Sequence, residues 1–90
     1  MKPARKSKYT LIRDIEGLEQ MAKKLKQIRI QKGFTQEELS YQSGLSLSQI
    51  ARIETVRINP TVSTIFRIAR TLNINVSELF DFKLSRLNKD

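Results

Sequence analysis

Apolar residues recur at intervals of three and four along much of this chain, the spacing that places side chains on one face of an α-helix. The first such stripe consists of Ile12, Ile15, Leu18, Ala22, Leu25 and Ile28. Asp14 is suited to cap this helix, but Gly17 weakens the first turn, so the helix is expected to begin nearer Leu18. Gly33 follows Lys32 and is typical of the residue just beyond a helix C-terminus, so the helix is predicted to end there.

A second helical pattern begins at Thr35, within the segment TQEELSYQSGLSLSQIARIE. Glu38 follows Thr35 at the third position, which is the spacing of a capping box, where each side chain bonds the other residue's backbone amide. This helix is predicted to run to about Gln42, because Gly44 is typical of a position where a helix stops.

A third helical pattern follows almost immediately. Ser46 is suited to cap it, and Ile50 and Ile53 form its buried side, whereas its first residues include small polar ones. Two short helices joined by a tight turn that contains glycine make a helix-turn-helix unit.

The remaining pattern predicts two more helices. Pro60 and Thr61 are suited to start a fourth helix, which the segment NIN ends. Its core stripe consists of Ile65, Ile68, Ala69 and Leu72. Ser77 begins a short fifth helix that reaches Phe80. The pattern of residues 81–90 is compatible with a short strand or with a helical continuation.

The chain of 90 residues carries a formal net charge of +8. So large an excess in one small domain indicates a polyanion or an anionic membrane as partner, with solubility alone as the other explanation. Residues 1–10 form a basic arm without an acid, and the basic residues are Lys2, Arg5, Lys6 and Lys8. No apolar run is long enough to span a bilayer and no secretory signal is recognisable. We therefore expect a cytoplasmic, nucleoid-associated protein with no membrane partner.

Cysteine and histidine are both absent from the chain. Disulfides and thiolate metal sites are thereby excluded, and the commonest general base is missing. Glu37 and Glu38 are adjacent on a helix and point apart, so they do not form a catalytic pair of carboxylates. We expect a protein that is not an enzyme and that requires neither a cofactor nor a metal.

Residues 25–80 resemble the Cro/repressor-type helix-turn-helix family, also called XRE-like. Three segments carry the resemblance, in the order LKQIRIQKGFTQEELS, SGLSLSQIARIE and NPTVSTIFRIARTLNINVSELF. The resemblance implies an all-α, compact five-helix domain that binds operator DNA, commonly as a homodimer, in a bacterial or phage transcriptional regulator. The chain then divides into a basic arm with a possible helix extension (1–20), the DNA-binding domain (21–82) and a C-terminal tail (83–90).

The resemblance makes the third helix, about residues 46–54, the recognition helix in the major groove of a pseudo-palindromic operator. Residues at the start of such a helix face the base edges. The candidates for base contacts are Leu47, Ser48, Gln49 and Arg52. Leu47 suits a thymine methyl group and Arg52 suits guanine O6 and N7. The alternatives are an incidental surface leucine for Leu47, and a phosphate contact or a solvated charge for Arg52. Gln49 is suited either to pair with adenine or to reach a phosphate.

Phosphate contacts are expected at the start of the second helix and around the recognition helix. The candidates are Gln36, Ser46, Arg57 and Asn59. Gln36 lies at the positive end of a helix, and capping suffices to explain Ser46. Val56 stands where the family often has glycine. Because a β-branched residue resists positive φ, the chain is expected to leave the third helix by a different turn.

Two further sets of residues are implied to have structural roles. Arg29 and Glu54 are expected to form an ion pair that locks the recognition helix. Leu79, Phe80 and Phe82 are candidates for the homodimer interface, with the core of the single chain as the alternative.

A function of another class is that of an antitoxin, which binds a toxin protein and autoregulates its operon. Such a protein devotes extra sequence to the toxin, and only residues 1–20 and 81–90 lie outside the resemblance. We favour the repressor or activator over this hypothesis.

Overall fold

The computed structural model describes residues 12–87, so the predicted basic arm at residues 1–10 lies outside the described residues. The described chain forms α1 (Ile15–Gln31), α2 (Gln36–Ser43), α3 (Leu47–Glu54), α4 (Val62–Leu72) and a 3-10 helix (Val76–Phe80). An all-helical fold was predicted, but the fifth helix is a 3-10 helix, so this part of the chain holds four α-helices rather than five. Residues 81–87 are neither strand nor helix. None of the helices within residues 12–87 is long and apolar enough to cross a membrane.

Nonpolar side chains from all five helical segments meet in one core. Those with at most 2% of their surface exposed are Leu25, Leu39, Ile50, Ile53, Ile68, Leu72 and Leu79. Burial of one such side chain stabilises the fold by about 1.5–3 kcal/mol. Helices α2 and α3 contain only eight residues each. Since isolated helices of that length are unstable in water, their burial in this core is what keeps them helical.

Helix α1 begins earlier than its glycine suggests. Asp14 is the N-cap, and its carboxylate accepts a hydrogen bond of 2.8 Å from the amide of Gly17. The expected start near Leu18 is therefore wrong, because the cap satisfies the amide of the residue that would otherwise weaken the turn. At the other end Gly33 has φ 79°, as the predicted helix end requires.

Helix α2 has half of its predicted capping box. The Thr35 hydroxyl accepts a hydrogen bond of 2.9 Å from the Glu38 amide. The Glu38 carboxylate turns along the helix instead and accepts a bond of 3.2 Å from the side-chain amide of Gln42. Gly44 ends the helix with φ 81°.

The predicted pair of Arg29 and Glu54 is present, and it links α1 to the end of α3. Arg29 Nε lies 2.7 Å from Glu54 Oε2, and Nη2 donates to Oε1 at 3.0 Å, which makes the contact bidentate. The third nitrogen, Nη1, donates to the backbone carbonyl of Phe34 at 2.8 Å. The side chains of Arg29 and Glu54 are 8% and 2% exposed. Charges so well buried must stay paired, because either one alone would lack compensation for its lost hydration.

The exit from α3 contradicts the expectation for Val56. Val56 has φ 60°, in the left-handed region that β-branched residues avoid. Two bonds hold the turn, from the Val56 amide to the Ile53 carbonyl (3.2 Å) and from the Arg57 amide to the Arg52 carbonyl (2.7 Å). This is the bonding of a Schellman motif, so the chain turns as it would with glycine at this position. The two hydrogen bonds of the turn and the packing of α3 outweigh the free-energy cost of the left-handed conformation at Val56.

The Val56 turn leads to a first prediction. Val56→Gly is expected to raise the free energy of unfolding by about 1 kcal/mol, because glycine removes the strain of positive φ but loses more backbone entropy on folding. Urea denaturation measures the change. The control is Val62→Gly in the first turn of α4, where φ is helical and the substitution is expected to destabilise. Equal destabilisation by both would contradict the left-handed conformation of Val56.

The ion pair leads to a second prediction. Arg29→Ala and Glu54→Ala are each expected to cost about 3–5 kcal/mol of stability, because each leaves a buried charge without its partner. The double variant should cost less than the sum, with a coupling energy of about 0.5–3 kcal/mol. Urea denaturation of the wild type, the two single variants and the double variant gives the four free energies of this double-mutant cycle. The control Lys26→Ala removes an exposed cation from α1 and should change stability by no more than about 0.5 kcal/mol. Additive single costs would show that the pair contributes no coupling.

Candidate nucleic-acid interface

Helix α3 presents a polar side to solvent because its apolar side is anchored in the core. Ile50 and Ile53 are 0% and 2% exposed. At 100° per residue, Ser48 and Arg52 point away from these two isoleucines. Both are exposed in the structure. The outer side of the helix is therefore free to contact a ligand along its length.

The first turn of α3 carries the other two residues predicted to contact bases. Leu47 is the first helical residue and is 41% exposed, whereas Gln49 is half-buried at the edge of the outer side. Ser46 is the N-cap, and its hydroxyl oxygen accepts a hydrogen bond of 3.0 Å from the Gln49 amide. The hydroxyl proton of Ser46 remains able to donate outward. Ser48 and Arg52 thus share the outer side of α3, and Leu47 and Gln49 lie on its two flanks.

Gln36 is held in a way that the sequence did not indicate. It is the first residue of α2, and its Nε2 donates a hydrogen bond of 3.0 Å to Glu54 Oε1. The same oxygen accepts a bond from Arg29, so one carboxylate joins α1, α2 and α3. A carboxylate only accepts, so the amide must present its nitrogen to Glu54. The side-chain carbonyl and the second N–H of Gln36 remain available.

The start of α2 also has an electrostatic character that bears on anion binding. The unpaired amides of its first turn and the helix dipole favour an anion there. Glu37 and Glu38 follow Gln36 and are exposed in this turn. Their charges interact favourably with the helix dipole but repel phosphate, so Gln36 is the member of this turn suited to contact one.

The loop between α3 and α4 includes Arg57 and Asn59, the other two candidates for phosphate contacts, and both are exposed. The backbone amide of Arg57 is bonded to the Arg52 carbonyl at 2.7 Å and is therefore occupied. A phosphate contact at Arg57 would have to come from its guanidinium group. The left-handed turn at Val56 sets the direction in which this loop leaves α3.

The residues predicted to form a homodimer interface divide between core and surface. Leu79 is 1% exposed and belongs to the core, which corrects its expected place in an interface. Phe80 is 47% exposed, and Phe82 is half-buried with its ring centroid 6.5 Å from that of Phe80. Both rings line a groove of about 390 Å³ whose walls also include Leu18, Asn59 and Leu84.

The arrangement agrees with known proteins in both sequence and structure. The helix-turn-helix family model HTH_3 matches residues 25–79. An uncharacterized HTH-type transcriptional regulator, y4dJ of Sinorhizobium fredii, is 40% identical over 52 residues, which cover 58% of this chain and 68% of that protein. The immunity repressor of Bacillus phage phi105 is 37% identical over 59 residues, 66% of this chain but only 41% of the repressor.

Solved structures show the same fold. The restriction-modification controller protein C.AhdI of Aeromonas hydrophila is 33% identical and superposes with a TM-score of 0.68 over 70% of this chain and 96% of its own. The controller C.Esp1396I, solved as a tetramer with its natural 35 base-pair operator, is 33% identical with a TM-score of 0.66 over 71% of this chain and 84% of its own. Because the family model covers more than half of its length, this chain belongs to the helix-turn-helix family HTH_3, and its function is DNA-binding regulation of transcription.

Proposed function

We propose that this protein binds a pseudo-palindromic operator in double-stranded DNA as a homodimer, with α3 as the recognition helix in the major groove of each half-site. The observation that carries this proposal is the outer side of α3, where Ser48 and Arg52 point away from the buried Ile50 and Ile53. The bidentate pair at the end of α3 holds that helix against α1, so its outer side is presented by a rigid support.

Sequence preference then depends on the side chains of the first two turns of α3. Arg52 is long, exposed and able to donate two parallel bonds to guanine O6 and N7. Leu47 is suited to contact a thymine methyl group, because 41% of its surface is exposed at the helix start. Ser48 can donate to or accept from several bases and discriminates less sharply, whereas Gln49 is suited to pair with adenine N6 and N7 or to reach a phosphate.

Affinity that does not depend on sequence comes from the phosphate contacts and from charge. Gln36 and Ser46 lie at the N-termini of α2 and α3, and Arg57 and Asn59 lie in the loop after α3. Glu54 holds Gln36 by a 3.0 Å bond, which reduces the entropy lost when that amide engages a phosphate. The net charge of +8 attracts the duplex over longer distances.

A homodimer is supported by the surface around Phe80 and Phe82. Phe80 is 47% exposed beside a groove, and its ring centroid lies 6.5 Å from that of the half-buried Phe82. A large, exposed aromatic side chain is the kind of anchor that interfaces favour. Two copies related by a two-fold axis would read half-sites whose centres are about 10–10.5 base pairs apart.

The antitoxin hypothesis gains no support from the comparisons. The relatives and structures described above are named as transcriptional regulators, a repressor and controller proteins. None of those names refers to a toxin.

The proposed base contact of Arg52 can be tested against the proposed phosphate contact of Gln36. Selection of bound sites from random duplex DNA first supplies the operator. Arg52→Ala is expected to cost roughly 1–3 kcal/mol on that operator and to relax preference at one base pair per half-site. Gln36→Ala is expected to weaken binding to the operator and to random duplex by similar factors, because a phosphate contact carries no base information.

Titrations at fixed salt against the operator, its single-base variants and random duplex measure both effects. The control Arg70→Ala removes the same charge from an exposed position on α4 and should leave base preference unchanged. If Arg52→Ala lowers affinity for every duplex by one common factor, Arg52 is a phosphate ligand and preference rests on Leu47, Ser48 and Gln49. Failure of the selection to enrich any site would contradict sequence-specific binding.

The proposed dimer can be tested by placing a charge in its interface. Phe80→Glu is expected to convert the dimer to monomer at tens of micromolar protein, because a carboxylate would have to lose its hydration in the interface. Light scattering measures the mass. Phe66→Glu is a matched control, since Phe66 on α4 is 46% exposed against 47% for Phe80. Wild-type protein that is monomeric with and without operator would defeat the proposed dimer, and so would a dimer that only Phe66→Glu disrupts.

A further inference from the structure

A contact from the segment before α1 reaches the loop that follows the recognition helix. The guanidinium of Arg13 donates a hydrogen bond from Nη2 to the backbone carbonyl of Val56. These residues are 43 positions apart in the chain. Arg13 lies outside residues 25–79, which match the helix-turn-helix family model. The contact is therefore an addition to the part of the fold that the family model covers.

The conformation of the loop depends on how Val56 and its carbonyl are held. Val56 adopts φ 60°, a conformation that persists in a β-branched residue only when its surroundings hold it. The amides of Val56 and Arg57 are held by the carbonyls of Ile53 and Arg52. Arg13 donates to the carbonyl of Val56, so the turn is also held from its carbonyl side.

Fixing this carbonyl also fixes the direction of the next residue. The carbonyl of Val56 and the amide of Arg57 belong to one planar peptide unit, so a bond at either end orients the whole unit. Arg57 and Asn59, which the proposed function assigns to phosphates, follow directly from it. Loss of the Arg13 bond would leave that plane held at its amide end alone.

The residues that follow Arg13 are bonded to other parts of the fold. The next residue, Asp14, caps α1 through a bond of 2.8 Å to the Gly17 amide. One turn into α1, the Glu16 carboxylate accepts bonds from the amide and hydroxyl of Ser85 at 3.1 and 3.0 Å. Leu84 lies against Gly17 from the same segment. The start of α1 is thus hydrogen-bonded to the C-terminal segment, and this contact holds the backbone next to Arg13 in place.

We propose that Arg13 is a positioning residue for DNA binding: it holds the loop between α3 and α4 in the conformation that presents Arg57 and Asn59 to the phosphate backbone. The proposal rests on the proposed function, because it assigns those two residues to phosphate. Arg13 acts through the Val56 carbonyl and requires no contact of its own with DNA.

The first measurement uses the free protein and is independent of DNA. Amide hydrogen exchange at Arg57 is expected to be several-fold faster in Arg13→Ala than in wild type, with exchange in the core unchanged. Arg13→Lys, which keeps a long donor, should restore most of the protection. Arg86→Ala is the control, since it removes one exposed cation from the C-terminal segment and should leave exchange at Arg57 unchanged. Unchanged exchange at Arg57 in Arg13→Ala would overturn the proposal.

The second measurement is a cycle of operator affinities. Arg13→Ala is expected to weaken binding by about fivefold per half-site, the effect of losing one ordinary hydrogen bond. In a background of Arg57→Ala with Asn59→Ala, the same change should cost little, because the residues that Arg13 positions are already gone. An equal loss in both backgrounds would overturn the proposal and make Arg13 a direct DNA ligand.

The two measurements separate this proposal from the proposed function. If wild-type protein failed to bind any selected duplex, the proposed function would fail and positioning for DNA binding would fail with it. Faster exchange at Arg57 would then still show that Arg13 holds the loop. If wild type binds and Arg13→Ala loses no more affinity than Arg86→Ala, the positioning proposal alone is overturned.

Discussion

The buried contact between Arg29 and Glu54 is the constraint on which the placement of α3 depends. Two parallel bonds fix both the distance and the angle between α1 and the end of α3, which hydrophobic contact alone does not do because it has no direction. The same guanidinium bonds the Phe34 carbonyl just after α1, and the same carboxylate accepts from Gln36 at the start of α2. Three helices are therefore oriented by one pair of opposite charges.

This arrangement explains how an eight-residue helix can present its outer side in a fixed orientation. Helix α3 is too short to be stable alone, and Ile50 and Ile53 provide the burial that keeps it folded. With the core on one side and the pair at its end, the outer side has no structural task. Side chains on this outer side can therefore contact a ligand without disturbing the core. Gln36, on α2, is bonded to the same Glu54 carboxylate that pairs with Arg29.

The loop after α3 shows how hydrogen bonds from several residues override the conformational preference of one. A valine in left-handed conformation is unfavourable in isolation. Here the helix-end bonds of Val56 and Arg57, together with Arg13, hold the turn that glycine would adopt freely. The expectation of a different turn was wrong because it weighed only the residue's own sterics. The groove beside Phe80 likewise depends on residues 81–87, whose course the sequence pattern left undecided.

The sequence by itself determined the helical fold, most helix ends and the residues that face outward from α3. These features follow from local rules: the three-and-four spacing of apolar residues, the caps at Asp14, Thr35, Ser46 and Thr61, and the glycines after helices. The pairing of Arg29 with Glu54 was also anticipated, but only through resemblance to a family. Tertiary structure alone decided that Gln36 joins this pair, that Leu79 lies in the core and that Arg13 reaches the Val56 carbonyl. Each of these depends on residues distant in sequence becoming neighbours in space, and neither periodicity nor capping patterns carry that information.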